Sequence, residues 1–269
     1  MTGKVIDIKI LVCIKQVPGT SNVEVDPVTG VLKRDGIESK LNPYDLFSIE
    51  LALRLKKEYD CDVHTITMGP PQAKAIIQEA FCMGADRGYV ISDRKFAGAD
   101  VLATSYTLSQ GIEKLGKYDL IICGKQTTDG DTAQVGAEIA EFLEIPHVSN
   151  VTKVIEIKNS TITVKCNLEN YFITQQIKLP CLICTDADIN TPRLPSYKRR
   201  RELTKDIIEF ISLKDLNDQD ETNYGLTGSP TQVERIFPPE KSNTRQMIKG
   251  SNIEMADKLF NVLKKHKYL

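Results

Sequence analysis

The sequence has almost no net charge: 35 Lys and Arg stand against 36 Asp and Glu over 269 residues, leaving −1. No global field therefore draws the chain to nucleic acid or to an anionic membrane. The basic run Lys198, Arg199, Arg200, Arg201 is local and reads as a solvated loop or helix face. The sequence also lacks any apolar run near the ~18 residues that a membrane helix needs. Asp7 and Lys9, beside the first apolar segment, are unlike a secretory leader. A reduced, cytoplasmic protein is expected.

A disulfide framework is missing as well. There are 7 Cys, and Cys13, Cys123, Cys181 and Cys184 sit in apolar strand-like runs, where a thiol packs as a small hydrophobe. Cys181 and Cys184 have the spacing of a metal or redox pair, but no second pair accompanies them. In a strand, positions at that spacing point to opposite faces. His64, His147 and His266 share no ligand spacing. No metal site is indicated.

The familiar phosphate-binding motifs are absent too. Gly124-Lys125 opens a loop rather than preceding Ser or Thr, so it is no Walker A element, and no GxGxxG fingerprint is present. What is present is the stretch from Tyr118 to Gly136. Leu120, Ile121, Ile122 and Cys123 read as a buried strand, and Gly124 ends it. A loop of Lys, Gln, Thr, Asp and Gly follows, and then the amphipathic set Val135, Ile139, Phe142 and Leu143. Asp131 or Thr132 is the predicted N-cap of that helix. Gly130 is the position where a side chain is expected to intrude or where φ is expected to be positive. A helix N-terminus with free N–H groups suits a phosphate; a solvated turn without ligand is the other reading of the same pattern.

Around this stretch the chain alternates. Ile8–Ile14 and Val63–Met68 read as buried strands, as do shorter runs at Tyr89–Ile91 and Leu182–Thr185. Helices are predicted from Asn42, with Asn42 as N-cap, from the Gly69-Pro70-Pro71 start to Gly84, and from Gly98 to Leu115, with Asp100 in its first turn. Residues between Pro18 and Gly36 suit a small hairpin, with Val23, Val25, Val31 and Leu32 as its apolar positions. The pattern is that of an α/β, doubly wound parallel sheet, with ligands expected beyond the carboxyl ends of the strands. After residue 150, Val151–Ile157, Thr161–Leu168 and Tyr171–Ile177 alternate as antiparallel hairpins. From Thr191 no core-forming pattern is expected until an amphipathic helix at Ile253–Leu263. The predicted organisation is an α/β domain over 1–190 and, over 191–269, a tail that is either disordered or wraps another subunit, with the final helix favouring wrapping.

Several short pieces, taken together and in order, carry a resemblance. They are Val12 to Pro18, Asn42-Pro43-Tyr44-Asp45, Met68-Gly69-Pro70, Met83 to Arg87, Asp119 to Asp131 and Thr191-Pro192-Arg193. With them the chain resembles the β subunit of electron-transfer flavoproteins over nearly its whole length. The resemblance implies an α-subunit partner carrying a flavin. It also implies a nucleotide site in this chain that holds AMP in ordinary members and a second FAD in the electron-bifurcating members. The Gly130-Asp131-Thr132-Ala133-Gln134-Val135 segment is similar to the bifurcating version. Carried over by position, the site would comprise Cys13, Asn42, Pro43, Tyr44, Asp45, Met68, Gly124, Lys125, Gln126, Thr127, Thr128, Asp129, Gly130, Asp131, Thr132, Ala133, Gln134 and Val135, with Asp100 and Thr104 added. Leu194 is the candidate for the leucine that anchors partner dehydrogenases. The Lys198–Glu202 run departs from the Ala-Lys-Lys-Lys type run that often follows in the family.

The implied function is NADH oxidation at an FAD in this subunit. One electron would pass to ferredoxin or flavodoxin and the other, through the α-subunit FAD, to an FAD-dependent dehydrogenase. The alternatives are a non-bifurcating carrier with structural AMP, and a nucleotide-binding regulatory module without redox chemistry. In either redox reading the flavin carries the chemistry and the chain orients it.

Overall fold

The computed structural model describes residues 8–19, 39–233 and 245–269. The chain divides into two compact units; residues 8–19 and 39–233 belong to the first and 245–269 to the second.

The first unit is built on repeated strand and helix. β1 (Lys9–Cys13) leads through a short β2 (Gln16–Pro18) and β3 (Ser39–Leu41), which pair antiparallel, into α1 (Pro43–Tyr59). Next come β4 (Asp62–Met68), α2 (Lys74–Met83), β5 (Arg87–Ile91), α3 (Val101–Leu115), β6 (Leu120–Gly124) and α4 (Val135–Phe142). Three longer strands follow: β7 (His147–Lys158), β8 (Thr161–Leu168) and β9 (Tyr171–Lys178). β10 (Cys181–Thr185), the short α5 (Tyr197–Arg201) and β11 (Ile208–Ile211) complete the unit. The sheet has nine strands in the order β11-β5-β4-β1-β6-β10-β7-β8-β9. Its centre is parallel, and the β7-β8-β9 end is antiparallel.

Alternation decides which face each strand residue joins. Ile10 and Val12 pack with α1 and α2 through Ile49, Ile76 and Ile77, while Leu11 and Cys13 pack with α3 and α4 through Leu108, Ile112 and Ile139. Both faces are covered, so the central strands read in sequence as unbroken apolar runs. The same alternation separates Cys181 from Cys184 onto opposite faces. All 7 cysteines are buried and free.

The fold class is the expected one, and the differences are local. α3 begins at Val101 rather than near Gly98, and Asp100 is its N-cap, accepting from the Ala103 N–H at 3.1 Å. The hairpin proposed around Val23, Val25, Val31 and Leu32 lies outside the described residues. The stretch after Thr191 does carry core positions: β11 adds to β5, and Leu213, Leu216 and Tyr224 are buried on the α3–α4 face, Tyr224 to 1% exposure. Its strand pairs with a partner distant in sequence, so no local periodicity announced it. Among the described residues no helix is long and apolar enough to cross a membrane.

The second unit carries α6 (Asn252–Lys265), close to the predicted Ile253–Leu263. Ser251 caps it in a reciprocal box: the Glu254 N–H donates to Ser251 Oγ, and the Ser251 N–H donates to Glu254 Oε2 at 2.9 Å. Its apolar residues Ile253, Leu259, Phe260 and Val262 are exposed.

Candidate functional site

β4 and β5 lie on one side of β1, and β6 and β10 on the other. The winding direction reverses between β1 and β6, the point beyond whose carboxyl ends open α/β sheets place their ligand crevice. Cys13 and Gly124 end these two strands, Met68 ends β4, and Asn42, Pro43, Tyr44 and Asp45 open α1. The loop from Lys125 to Gln134 leaves β6 at the same rim and enters α4 at Val135. Most of the residues expected in the nucleotide site therefore belong to segments leaving the carboxyl ends of the sheet. Asp100 and Thr104 open α3, which follows β5. The Asp100 carboxylate is engaged by its own chain: it accepts from Ala103 N–H, from Thr231 N–H at 3.0 Å and from the Thr231 hydroxyl at 2.6 Å. Leu194 lies apart from these elements, between β10 and α5, and is 88% exposed.

The loop differs from its expected form in two respects. Thr127 opens a turn closed by Asp131 N–H to Thr127 O at 3.0 Å, and Gly130 N–H donates to Thr127 Oγ1 at 3.3 Å. Asp131 and Ala133 are both left-handed, with φ of 55° and 56°, so neither Asp131 nor Thr132 caps a helix. α4 starts at Val135, and its first ladder bond is Glu138 N–H to Gln134 O at 3.1 Å. The N–H groups of Val135, Gly136 and Ala137 thus lie outside the ladder at the helix end. At Gly130 φ is not positive, and among protein atoms a Cβ would meet only Thr127 Oγ1, at 3.4 Å. The tight positions are Gly124, where a Cβ would meet Asp45 Oδ1 at 2.4 Å, and Gly136, where it would meet Cys184 Sγ at 2.4 Å.

Charge is arranged around the crevice. Lys15 Nζ pairs with Asp129 at 2.8 Å and Lys125 Nζ with Asp186 at 3.1 Å. Burial opposes ionisation of Asp129, but the Lys15 ammonium holds its carboxyl below the usual range. Asp45 is buried, and desolvation pushes it up to about 7 against the N–H donors of Lys15 and Asn42. Cys123 lies between Cys13 and Cys184 in register; its hydrogen bond with Cys13, with burial added, raises the thiol far above its ordinary value. Burial in the α3–α4 face makes Cys123 and Cys184 packing groups, not nucleophiles. Lys15, Asp186 and Gly136 were not among the expected site residues. For Lys15, the signal was its place at a strand end facing the crevice. Asp186 and Gly136 are defined by contacts between segments, for which the sequence has no local mark.

The exposed Leu194 stands on a fixed segment. Arg193 donates from Nε to Glu50 Oε2 at 2.7 Å, from Nη2 to Glu50 Oε1 at 3.3 Å and from its backbone N–H to Oε2 at 3.2 Å. Ser196 N–H reaches Cys82 O at 2.8 Å. Arg199 caps the end of α2, donating to Phe81 O at 2.7 Å and Ala85 O at 2.6 Å. In the basic run Lys198, Arg200 and Arg201 are exposed, as expected, and Arg199 alone is pinned.

A parallel sheet wound both ways from β1, with a solvent-facing polar loop and a helix end at its reversal point, defines a Rossmann-like α/β protein. The comparisons with known proteins are more specific. The electron transfer flavoprotein domain matches residues 29–210. The electron transfer flavoprotein subunit beta of Clostridium acetobutylicum is 42% identical over 260 residues, covering 97% of this chain and 99% of that protein. The caffeyl-CoA reductase-Etf complex subunit CarD of Acetobacterium woodii is 42% identical over 258 residues, covering 95% and 98%. Protein FixA of Sinorhizobium fredii is 41% identical over 236 residues, covering 86% and 83%. The chain belongs to the electron transfer flavoprotein β-subunit family.

Proposed function

We propose that this chain is the cytoplasmic β subunit of a two-subunit electron transfer flavoprotein and that its crevice binds FAD rather than AMP. The carrying observation is the open Lys125–Gln134 loop and α4 end at the reversal point of the sheet. Similarity over nearly the full length to a subunit named for a caffeyl-CoA reductase-Etf complex supports the redox assignment.

The residues suit a nucleotide carrying a pyrophosphate. The N–H groups of Val135, Gly136 and Ala137 would hold the pyrophosphate at the positive end of α4. Thr127, Thr128 and Thr132 offer hydroxyls on the exposed loop, and Cys13 and Met68 offer polarisable surface at the strand ends. Lys15 and Lys125 keep positive charge beside the crevice although each is paired. When bound, the FAD would supply the redox chemistry: acceptance of a hydride from NADH and delivery of single electrons to ferredoxin or flavodoxin and, through the α-subunit FAD, to a partner dehydrogenase. The complex would act as an oxidoreductase, and this chain would bind and orient without covalent catalysis.

Within 191–269 we assign two partner contacts. Leu194, held out between the Arg193 and Arg199 anchors, would dock an FAD-dependent dehydrogenase. The exposed apolar residues of α6 would pack on the α subunit. Release of nucleotides from the denatured heterodimer tests the central assignment. Two FAD per αβ pair is the expected result; one FAD with one AMP would overturn it in favour of a non-bifurcating carrier.

A further inference from the structure

The Asn42 side chain is fully buried, and its hydrogen-bonding groups are engaged. Nδ2 donates one hydrogen to Asp45 Oδ1 at 2.9 Å and the other to Gln126 O at 2.9 Å. Oδ1 accepts the Thr128 N–H at 3.3 Å. A carboxamide has two N–H donors, so none is left for a ligand. Nor does the side chain cap α1, although Asn42 occupies the cap position. The backbone carbonyl of Asn42 takes the Asp45 N–H at 3.0 Å instead, which frees the amide to reach the loop.

Asp45 is similarly committed. Oδ1 accepts from Asn42, and Oδ2 accepts the Lys15 N–H at 2.7 Å. The carboxyl lies against Gly124, at the end of β6, where a Cβ would come within 2.4 Å of Oδ1. Two side chains thus join the end of β1, the start of α1, the end of β6 and the first limb of the loop. Asn42 and Gln126 are 84 positions apart, so this is a tertiary tie and not a local turn.

We propose that the Asn42 and Asp45 side chains are positioning groups: they brace the Gln126–Thr128 limb in its nucleotide-binding shape. The inference rests on the proposed nucleotide site and changes the part that this pair plays in it. A loop shaped before binding does not have to be ordered by the ligand, and affinity is higher by that amount. The tie to Gln126 O is specific to the loop, whereas the ties from Asp45 to Asn42 and Lys15 hold the scaffold. The two roles are separable by exchange. With Asn42→Asp and Asp45→Asn combined, the amide at 45 can still donate to the carboxylate at 42 and accept from Lys15 N–H. The carboxylate at 42 can still accept from Thr128 N–H, but nothing donates to Gln126 O.

The test uses the heterodimer with its α subunit, stripped of nucleotide and titrated separately with FAD and with AMP. The titrations are made at about pH 9, so that the acid at 42 is ionised and does not donate to Gln126 O as a neutral carboxyl. Thermal midpoints are measured on the same nucleotide-free samples. Asn42→Ala is expected to weaken nucleotide binding at least tenfold. The exchange variant is expected to unfold within about 3 °C of the parent while its affinity stays at least tenfold down. Should the exchange restore affinity together with stability, the pair serves the fold alone and the proposal is overturned. Unchanged affinity in Asn42→Ala overturns it too, and if that variant does not fold, the exchange decides. A parent that takes AMP and not FAD defeats the FAD assignment, and the same comparison made with AMP still decides the brace.

Discussion

Asp45 and Glu50 are buried carboxylates of one helix, α1, and their ionisation is pushed in opposite directions. Asp45 meets the backbone N–H of Lys15 and the amide of Asn42, and burial carries it up to about 7. Glu50 is desolvated as well, but hydrogen bonds from Arg193 and Arg54 outweigh that and hold it below the ordinary glutamate value. The difference is in the partners: neutral donors on one side, guanidinium groups on the other.

For Asp45 the stability linkage is that of a raised acid. Between its ordinary value of 3.8 and about 7 the folded chain binds a proton that the unfolded chain has released. Its contribution is therefore full below the lower value and lost as pH rises through the upper one. Relative to Asp45→Asn, the parent should lose on the order of 4 kcal/mol of stability between those limits. Urea unfolding of both proteins across this range reads the difference. A gap that does not change with pH would place Asp45 at its ordinary value.

Glu50 has the opposite sign. Its folded value is depressed, so its contribution is present above the unfolded carboxylate range and lost as pH falls through the folded value. Both guanidinium groups are partly exposed, which limits the effect of the ion pairs. Glu50→Gln should cost about 1 kcal/mol at neutral pH, and the cost should disappear in acid. A loss that persists at low pH would make the effect steric.

Gly136 seats α4 on the sheet. A Cβ there would lie 2.4 Å from Cys184 Sγ, which is itself confined beside Cys123 on a buried face. Gly136→Ala should destabilise by about 1–3 kcal/mol through overpacking. Adding Cys184→Ala should recover most of that by making room. If the double variant is no better than Gly136→Ala alone, helix conformation rather than contact sets the requirement.

The parallel centre of the fold was legible because buried strands such as β1, β6 and β10 are continuous apolar runs separated by helical periods. Strand ends could be placed for the same reason, and with them the crevice. The start of α4 was not legible. Asp131 and Thr132 are strong local cap residues, yet the Thr127–Asp131 turn takes that stretch and leaves Asp131 and Ala133 left-handed. Asn42 shows the same competition: its local preference is to cap α1 through Oδ1, and a distant donor, the Thr128 N–H, takes that oxygen at 3.3 Å. β11 was hidden because only Ile211 of the strand is buried, so half of the usual alternation is missing.

Leu194 contributes little to the folded chain, being 88% exposed. Leu194→Ser should leave the unfolding midpoint unchanged within error. If Leu194 docks a dehydrogenase as proposed, electron delivery to that partner should fall at least tenfold, since one buried leucine at a contact is worth about 1.5–3 kcal/mol. Reduction of the α-subunit flavin by dithionite should keep its rate. Undiminished delivery to the dehydrogenase would remove Leu194 from the docking surface.

The last prediction concerns α6. Its capping box, Ser251 with Glu254, fixes the helix start locally, and Ile253, Leu259, Phe260 and Val262 are exposed apolar residues. A helix with this much uncovered apolar side-chain area is stabilised mainly by packing against a partner, because propensity alone is marginal at this length. If the α subunit is that partner, Phe260→Asp should abolish co-purification, since it places a charge where the contact would exclude water. Phe260→Leu keeps the apolar character and should retain the heterodimer. Neither change alters a residue of the first unit, so far-ultraviolet dichroism of its sheet should be the same in both. Heterodimer formation by Phe260→Asp at the parent's level would exclude α6 from the interface.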